Sequence, residues 1–151
     1  MPTEKKQIQR TSEQKWGKDV IQSEGFNIIP SLLLKAQNKL GLNSNQLILL
    51  LHLADYWWQP NNYPHPGVKT IGERMGLSPR QIQRITAALE NSGFIKKNPR
   101  WHSDNKGRST NIYILEGLIE KLKPLAIEVI NSKKAKKNVY RKSKQSQETT
   151  I

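Results

Sequence analysis

The sequence predicts a mainly α-helical fold with one small β-hairpin, and three observations carry that expectation. Residues 67–93 read as two short helices joined by a tight turn. Residues 45–58 form an apolar run with almost no polar face, the mark of a central helix. Residues 94–97 and 109–115 are two β-prone stretches on either side of a polar turn.

Composition sets the frame. The 151 residues suit one domain with tails. A net charge of +13 points to a polyanionic partner, nucleic acid first and an anionic membrane second. No run approaches the ~18 apolar residues of a spanning helix, and the first residues carry no apolar signal core. Cysteine is absent, which excludes disulfides and cysteine-based zinc sites and is compatible with a reducing cytoplasm. With 35% hydrophobic residues, part of the chain is expected to be disordered. The charge is uneven. Residues 1–25 carry five basic and four acidic side chains, residues 26–131 thirteen and seven, and residues 132–151 seven and one. Three segments are therefore expected: a flexible arm over 1–25, a folded domain over 26–131 that includes a C-terminal helix, and a disordered basic tail over 132–151.

Taken in order, residues 1–22 show no apolar periodicity, and Trp16 is their one large apolar group. Pro30 pushes Ile29 towards extended backbone, so residues 26–30 read as an extended entry. A short helix over 31–40 follows, with Leu32, Leu33, Ala36 and Leu40 inward and Gly41 as its stop. Asn43 or Ser44 caps the central helix, which Trp57 and Trp58 close; the pair reads as packing rather than base stacking. Three prolines in residues 59–66 exclude helix and central strand there. That loop either touches DNA or simply connects.

The next helix spans Val68–Met75, with Val68, Ile71 and Met75 on one face and Gly76 as its stop. Ser78 is an N-cap, Pro79 suits the first helical position, and Gln81 completes an S-x-x-Q capping box. Ile82, Ile85 and Leu89 form the buried stripe of the helix Pro79–Asn91. Arg80, Gln81, Gln83 and Arg84 remain outside, the side-chain types that read guanine and adenine edges. The bland reading of the same face is a solvated polar surface. The two strands that follow would make a basic wing, with Arg100, Lys106 and Arg108 suited to phosphates or the minor groove. Trp101 and His102 read equally as anchors or as DNA contacts.

The string IGERMGLSPRQIQRITAALENSGFIKK and the basic hairpin-like segment after it resemble the winged helix-turn-helix domains of bacterial regulators and of phage or plasmid replication proteins. The resemblance covers about residues 27–122. It implies binding of double-stranded DNA, with the helix Pro79–Asn91 in the major groove. Arg80, Gln81, Gln83 and Arg84 would then read bases. Lys69, Ser78, Lys96, Lys97, Arg100, Lys106 and Arg108 would hold phosphates or form the wing. Transcriptional repression is the first function expected. Replication initiation at a phage or plasmid origin, or an accessory role in a nucleoprotein complex, is the alternative, with replication or nucleoprotein proteins as partners.

Leu118, Leu122, Leu125 and Val129 continue at helical spacing, with Pro124 expected to break or bend the run. This stripe either packs on the domain or pairs with a second copy, and the reading taken is a homodimer contact. No phosphate-binding loop or dinucleotide fingerprint is present. His52, His65 and His102 lack metal-ligand spacing, and Glu116 with Glu120 reads as solvated charge. The expectation is a binding protein and not an enzyme, with no metal or cofactor and no membrane attachment, placed in the cytoplasm with the nucleoid.

Overall fold

A computed structural model describes residues 3–100 and 109–148. The described chain is mainly helical with a two-stranded antiparallel hairpin. In order it forms α1 (Glu4–Trp16), α2 (Lys18–Glu24), α3 (Ser31–Lys35), α4 (Gln37–Leu40), α5 (Ser44–Asp55), α6 (Val68–Met75), α7 (Pro79–Asn91), β1 (Lys96–Asn98), β2 (Ile112–Ile114) and α8 (Glu116–Glu148).

Helix α5 is the centre. Leu47, Leu49, Leu50 and Leu53 are buried on it, and burial of each such side chain is worth roughly 1.5–3 kcal/mol. The core continues through Leu33 of α3, Ile71 of α6, Ile82 and Leu89 of α7, Phe94 and Ile95 before β1, and Tyr113 and Leu115 around β2. Asn43 opens α5 with a full capping box: its side chain accepts from the Gln46 N–H, and the Gln46 side chain accepts from the Asn43 N–H. The helix ends earlier than the sequence suggests. The Tyr56 and Trp57 N–H groups bond to Leu53 and Ala54, three residues back, which tightens the last turn. Trp57 then packs against the core and stacks on Tyr63 with ring centroids 6.3 Å apart, whereas Trp58 is exposed. The expected helix over 31–40 is divided at Ala36, whose backbone leaves helical values.

The proline-rich loop has a structural task. Pro64 accepts a hydrogen bond from the Tyr113 N–H, and His65 accepts one from the Thr110 hydroxyl. The loop thus covers the edge of β2 that β1 leaves open.

Both ends of the chain depart from expectation. Where a flexible arm was expected over 1–25, α1 and α2 pack against each other, and Ile21 is buried. The sequence of α1 lacks an apolar stripe, but it has Glu4 in its first turn, Lys15 in its last and a Gln9–Glu13 hydrogen bond one turn apart. Where a disordered tail was expected after residue 131, α8 runs on to Glu148. Leu118 buries its first turn against the core, and continuation through Lys, Ala and Gln, good helix formers, needs no core. Helix α8 also passes through Pro124. Both Pro124 and Glu120, whose carbonyl loses its partner, are exposed, so water can satisfy that carbonyl.

Leu118 is buried in the chain's own core and Leu122 packs against it. Half of the expected dimer contact is therefore used within one chain. Leu125 and Val129 lie further along α8 beside α3.

The start of α8 is seated by a glycine. A Cβ on Gly117 would lie 2.1 Å from the Gly93 carbonyl oxygen and 3.0 Å from that of Phe94. The Leu118 N–H donates to the Phe94 carbonyl at 2.8 Å. Gly72 plays a similar part in the turn after α6, where a Cβ would meet the Leu77 carbonyl at 2.6 Å.

Two outcomes are expected. Gly117→Ala should destabilise the fold by about 1–3 kcal/mol through overpacking against backbone; an unchanged denaturation midpoint would show that α8 can retract freely. His52 sits on α5 near Arg74 and Asp55, and burial, then the Arg74 charge, lower its pKa below the usual 6.5, against a smaller opposing pull from Asp55. The unfolded chain then binds the proton more readily, so this contribution to stability is present above pH 6.5 and is lost as pH falls through the lowered folded value. His52→Gln should flatten that part of the stability profile, measured by urea titration at several pH values.

Candidate nucleic-acid interface

Helix α7 is placed by its cap and its buried stripe. The Ser78 hydroxyl accepts from the Gln81 N–H at 3.2 Å, and the Gln81 side chain accepts from the Ser78 N–H at 2.8 Å. Pro79 occupies the first turn. Gly76, in the left-handed conformation at φ 69°, ends α6 and lets the chain turn into this cap. Ile82 and Leu89 are fully buried, with α7 packed on α5 and α6. Thr86 is buried with them, a position the apolar pattern does not reveal. Its hydroxyl donates to the Gln83 carbonyl at 2.9 Å and so carries its own partner into the core.

The outer face presents Arg80, Gln83 and Arg84, all exposed and related by steps of three and four residues. Neither Arg80 nor Arg84 has an ion-pair or hydrogen-bond partner among the described residues. Gln81 is also exposed, but the cap holds its carbonyl oxygen, leaving only its amide hydrogens for another contact. The Ser78 hydroxyl likewise accepts within the cap and keeps only its donor function.

Three acidic groups of the domain are already engaged. Asp55 binds Arg74 at 2.9 Å, and this bond is the first cause of the raised Arg74 pKa. Arg74 also lies 5.1 Å from the Tyr56 ring centroid, so it ties α6 to the end of α5. Glu116 accepts from the Tyr63 hydroxyl, which raises the phenol pKa. Glu120 pairs with Lys123 at 2.8 Å.

The basic residues of the hairpin fall into distinct groups. Glu90 of α7 accepts from the Lys97 backbone N–H at 2.7 Å, and its other oxygen lies 4.0 Å from the Lys97 ammonium. Lys97 thus anchors the hairpin to the end of α7, and a phosphate would have to compete for it. Lys69 on α6 and Lys96 on β1 are exposed, and Arg100 is half-buried. The Arg100 carbonyl accepts from the Ser109 N–H at 2.7 Å, joining the two sides of the hairpin. Lys106, Arg108, Trp101 and His102 lie outside the described residues.

One part of this surface was not foreseen. An open cleft of about 510 Å³ separates Gln83 from the chain entering β2, with Ser109, Thr110 and Asn111 on one side and Pro66 and Val68 at its end. The polar run Ser109-Thr110-Asn111 was visible in the sequence only as strand. No group of three or more acidic or histidine side chains is placed to hold a metal ion among the described residues. No helix there is long and apolar enough to cross a membrane.

Comparison with known proteins places this geometry. Residues 29–137 match the DnaD N-terminal domain family, and the chain belongs to it. The crystal structure of the N-terminal domain of DnaD protein from Geobacillus kaustophilus HTA426 is similar at 24% identity, with a TM-score of 0.52. The match covers 90% of this chain and 98% of that one, and at this identity it speaks to the fold. No individual curated protein matches the chain. The winged helix-turn-helix group expected from the sequence is broadly consistent with this family and less specific.

Since the cap sets the start of α7, Ser78→Ala should cost about 0.5–2 kcal/mol of stability. Ser78→Asp should retain most of it, because a carboxylate caps equally well and suits the positive end of the helix dipole. Equal losses for both, by chemical denaturation, would remove the cap from this role.

Proposed function

We propose that this member of the DnaD N-terminal domain family is a replication-related DNA-binding protein, with α7 entering the major groove in a winged helix-turn-helix arrangement. The observation that carries the reading is that Arg80 and Arg84, on the outer face of a capped helix, are exposed and have no ion-pair partner among the described residues. Arginine on such a face bonds guanine through two parallel hydrogen bonds. Gln83 lies between them on the same face and lines the cleft towards β2, which suits it to adenine. Lys69 and Lys96 would hold phosphates on either side, while Gln81, Ser78 and Lys97 serve chiefly to position the helix and hairpin. The far end of α8, with seven basic side chains against one acidic in residues 132–148, would add attraction for any sequence.

The family supports a replication role more than the transcriptional repression first expected, with DNA and replication proteins as partners. Binding without catalysis is the reading adopted. Of the dimer contact first expected, Leu118 and Leu122 belong to the chain's own core, which leaves Leu125 and Val129 for any contact outside it.

Arg84→Ala should lower affinity for a specific site by about 1–3 kcal/mol and relax base preference there. Equal losses on specific and random duplexes would make Arg84 a phosphate contact, and no loss on either would remove Arg84 from the interface. Fragments recovered from genomic DNA with the purified chain should concentrate at replication start sites; enrichment at promoters would favour the transcriptional reading.

A further inference from the structure

A second surface lies away from α7. Helix α8 and the pair α3–α4 enclose a groove of about 540 Å³. Its floor is apolar, formed by Leu32 and Ala36 on one side and Leu125 and Val129 on the other. Val129 is 42% exposed, so the strip is open to solvent. Its rim is basic: Lys35 and Lys39 face Lys133 and Lys136 across the floor. Glu128 is the one acidic side chain lining it, 4.0 Å from Lys39 with both side chains about 70% exposed, so it neutralises the rim weakly.

We propose that this groove binds an acidic amphipathic helix of a partner protein. Three features select that occupant. The residues lining the groove on α8 run from Leu125 to Lys136, a rise of roughly 16 Å, or three helical turns. That length takes apolar anchors at positions i, i+3 or i+4, and i+7 of a docked helix. The lysines stand on both flanks of the apolar floor, where carboxylates beside such a stripe would meet them. Duplex DNA matches the lysines but has nothing to cover Leu125 and Val129. A two-fold pairing of this face with itself would set lysine rims against each other, so charge disfavours a second copy. The inference does not depend on α7 binding DNA.

The probe is a fluorescein-labelled synthetic peptide of about 16 residues, with leucines at helical spacing and glutamates elsewhere. Titrated against the full chain and read by fluorescence anisotropy, it should bind saturably. A shuffled peptide of the same composition should bind at least roughly tenfold more weakly. Val129→Asp should weaken binding by a similar factor. Lys35→Glu with Lys133→Glu should do so too, and that double variant should regain affinity for a peptide carrying lysines in place of the glutamates. Such charge-swapped recovery does not follow from a structural role. These side chains are solvent-facing, and circular dichroism checks that each variant is folded. Equal binding of designed and shuffled peptides, or loss of DNA binding alone in the double variant, would overturn the proposal. So would a dimer in light scattering that Val129→Asp dissolves, since a second copy would then fill the groove.

Discussion

The structure depends on a contact between two stretches of backbone that leaves no room for a side chain. Gly117, in the first turn of α8, sits against the carbonyls of Gly93 and Phe94. Three elements meet there. Helix α7 ends just before Gly93, which turns in the left-handed region at φ 78°. The chain then enters β1 through buried Phe94 and Ile95, and α8 starts on top of it. Lys121 covers the outer side, with its ammonium 5.0 Å from the Phe94 ring centroid. Because main chain meets main chain, this junction tolerates less adjustment than an interface of flexible side chains. The end of α7 and the start of α8 are thereby held in one fixed relation, and both candidate binding surfaces inherit it.

Much of the fold could be read from the sequence wherever the signals were local. Helices α6 and α7 have the expected bounds because glycine, N-cap, proline and capping glutamine act within a few residues of one another. The hairpin was legible as two β-prone stretches around a turn, though its paired strands are shorter. At the ends the structure has helices where the apolar pattern offers little core, one buried residue in α8 and none in α1. Helix α8 is anchored in the core by Leu118 and continues through good helix formers, a cooperativity that composition does not display. Pro124 is accommodated because its side of the helix faces water, which the sequence pattern does not show.

The candidate site was legible to the extent that helical periodicity defines a face. Arg80, Gln83 and Arg84 follow from the buried stripe alone. Lys97 does not, because what qualifies it is Glu90 seven residues away across a turn. The cleft beside Gln83 also escaped, since it needs the proline-rich loop and the entry to β2 to come together in space. A one-dimensional pattern states which side chains leave the core. It is silent on which of them find a partner once outside, and that pairing separates anchors from free ligands here.

The continuity of α8 also fixes a distance. From Ser132 to Glu148 the helix rises roughly 25 Å. A flexible chain of that length would have a root-mean-square span of roughly 23 Å, so the averages nearly coincide and the spread does not. A coil would meet anions anywhere from its point of attachment to full stretch, and would surrender that freedom on binding. The rod offers its cations at set intervals along one line and has less freedom to lose. Whatever it meets is therefore selected by where its negative charges stand as well as by how many it has.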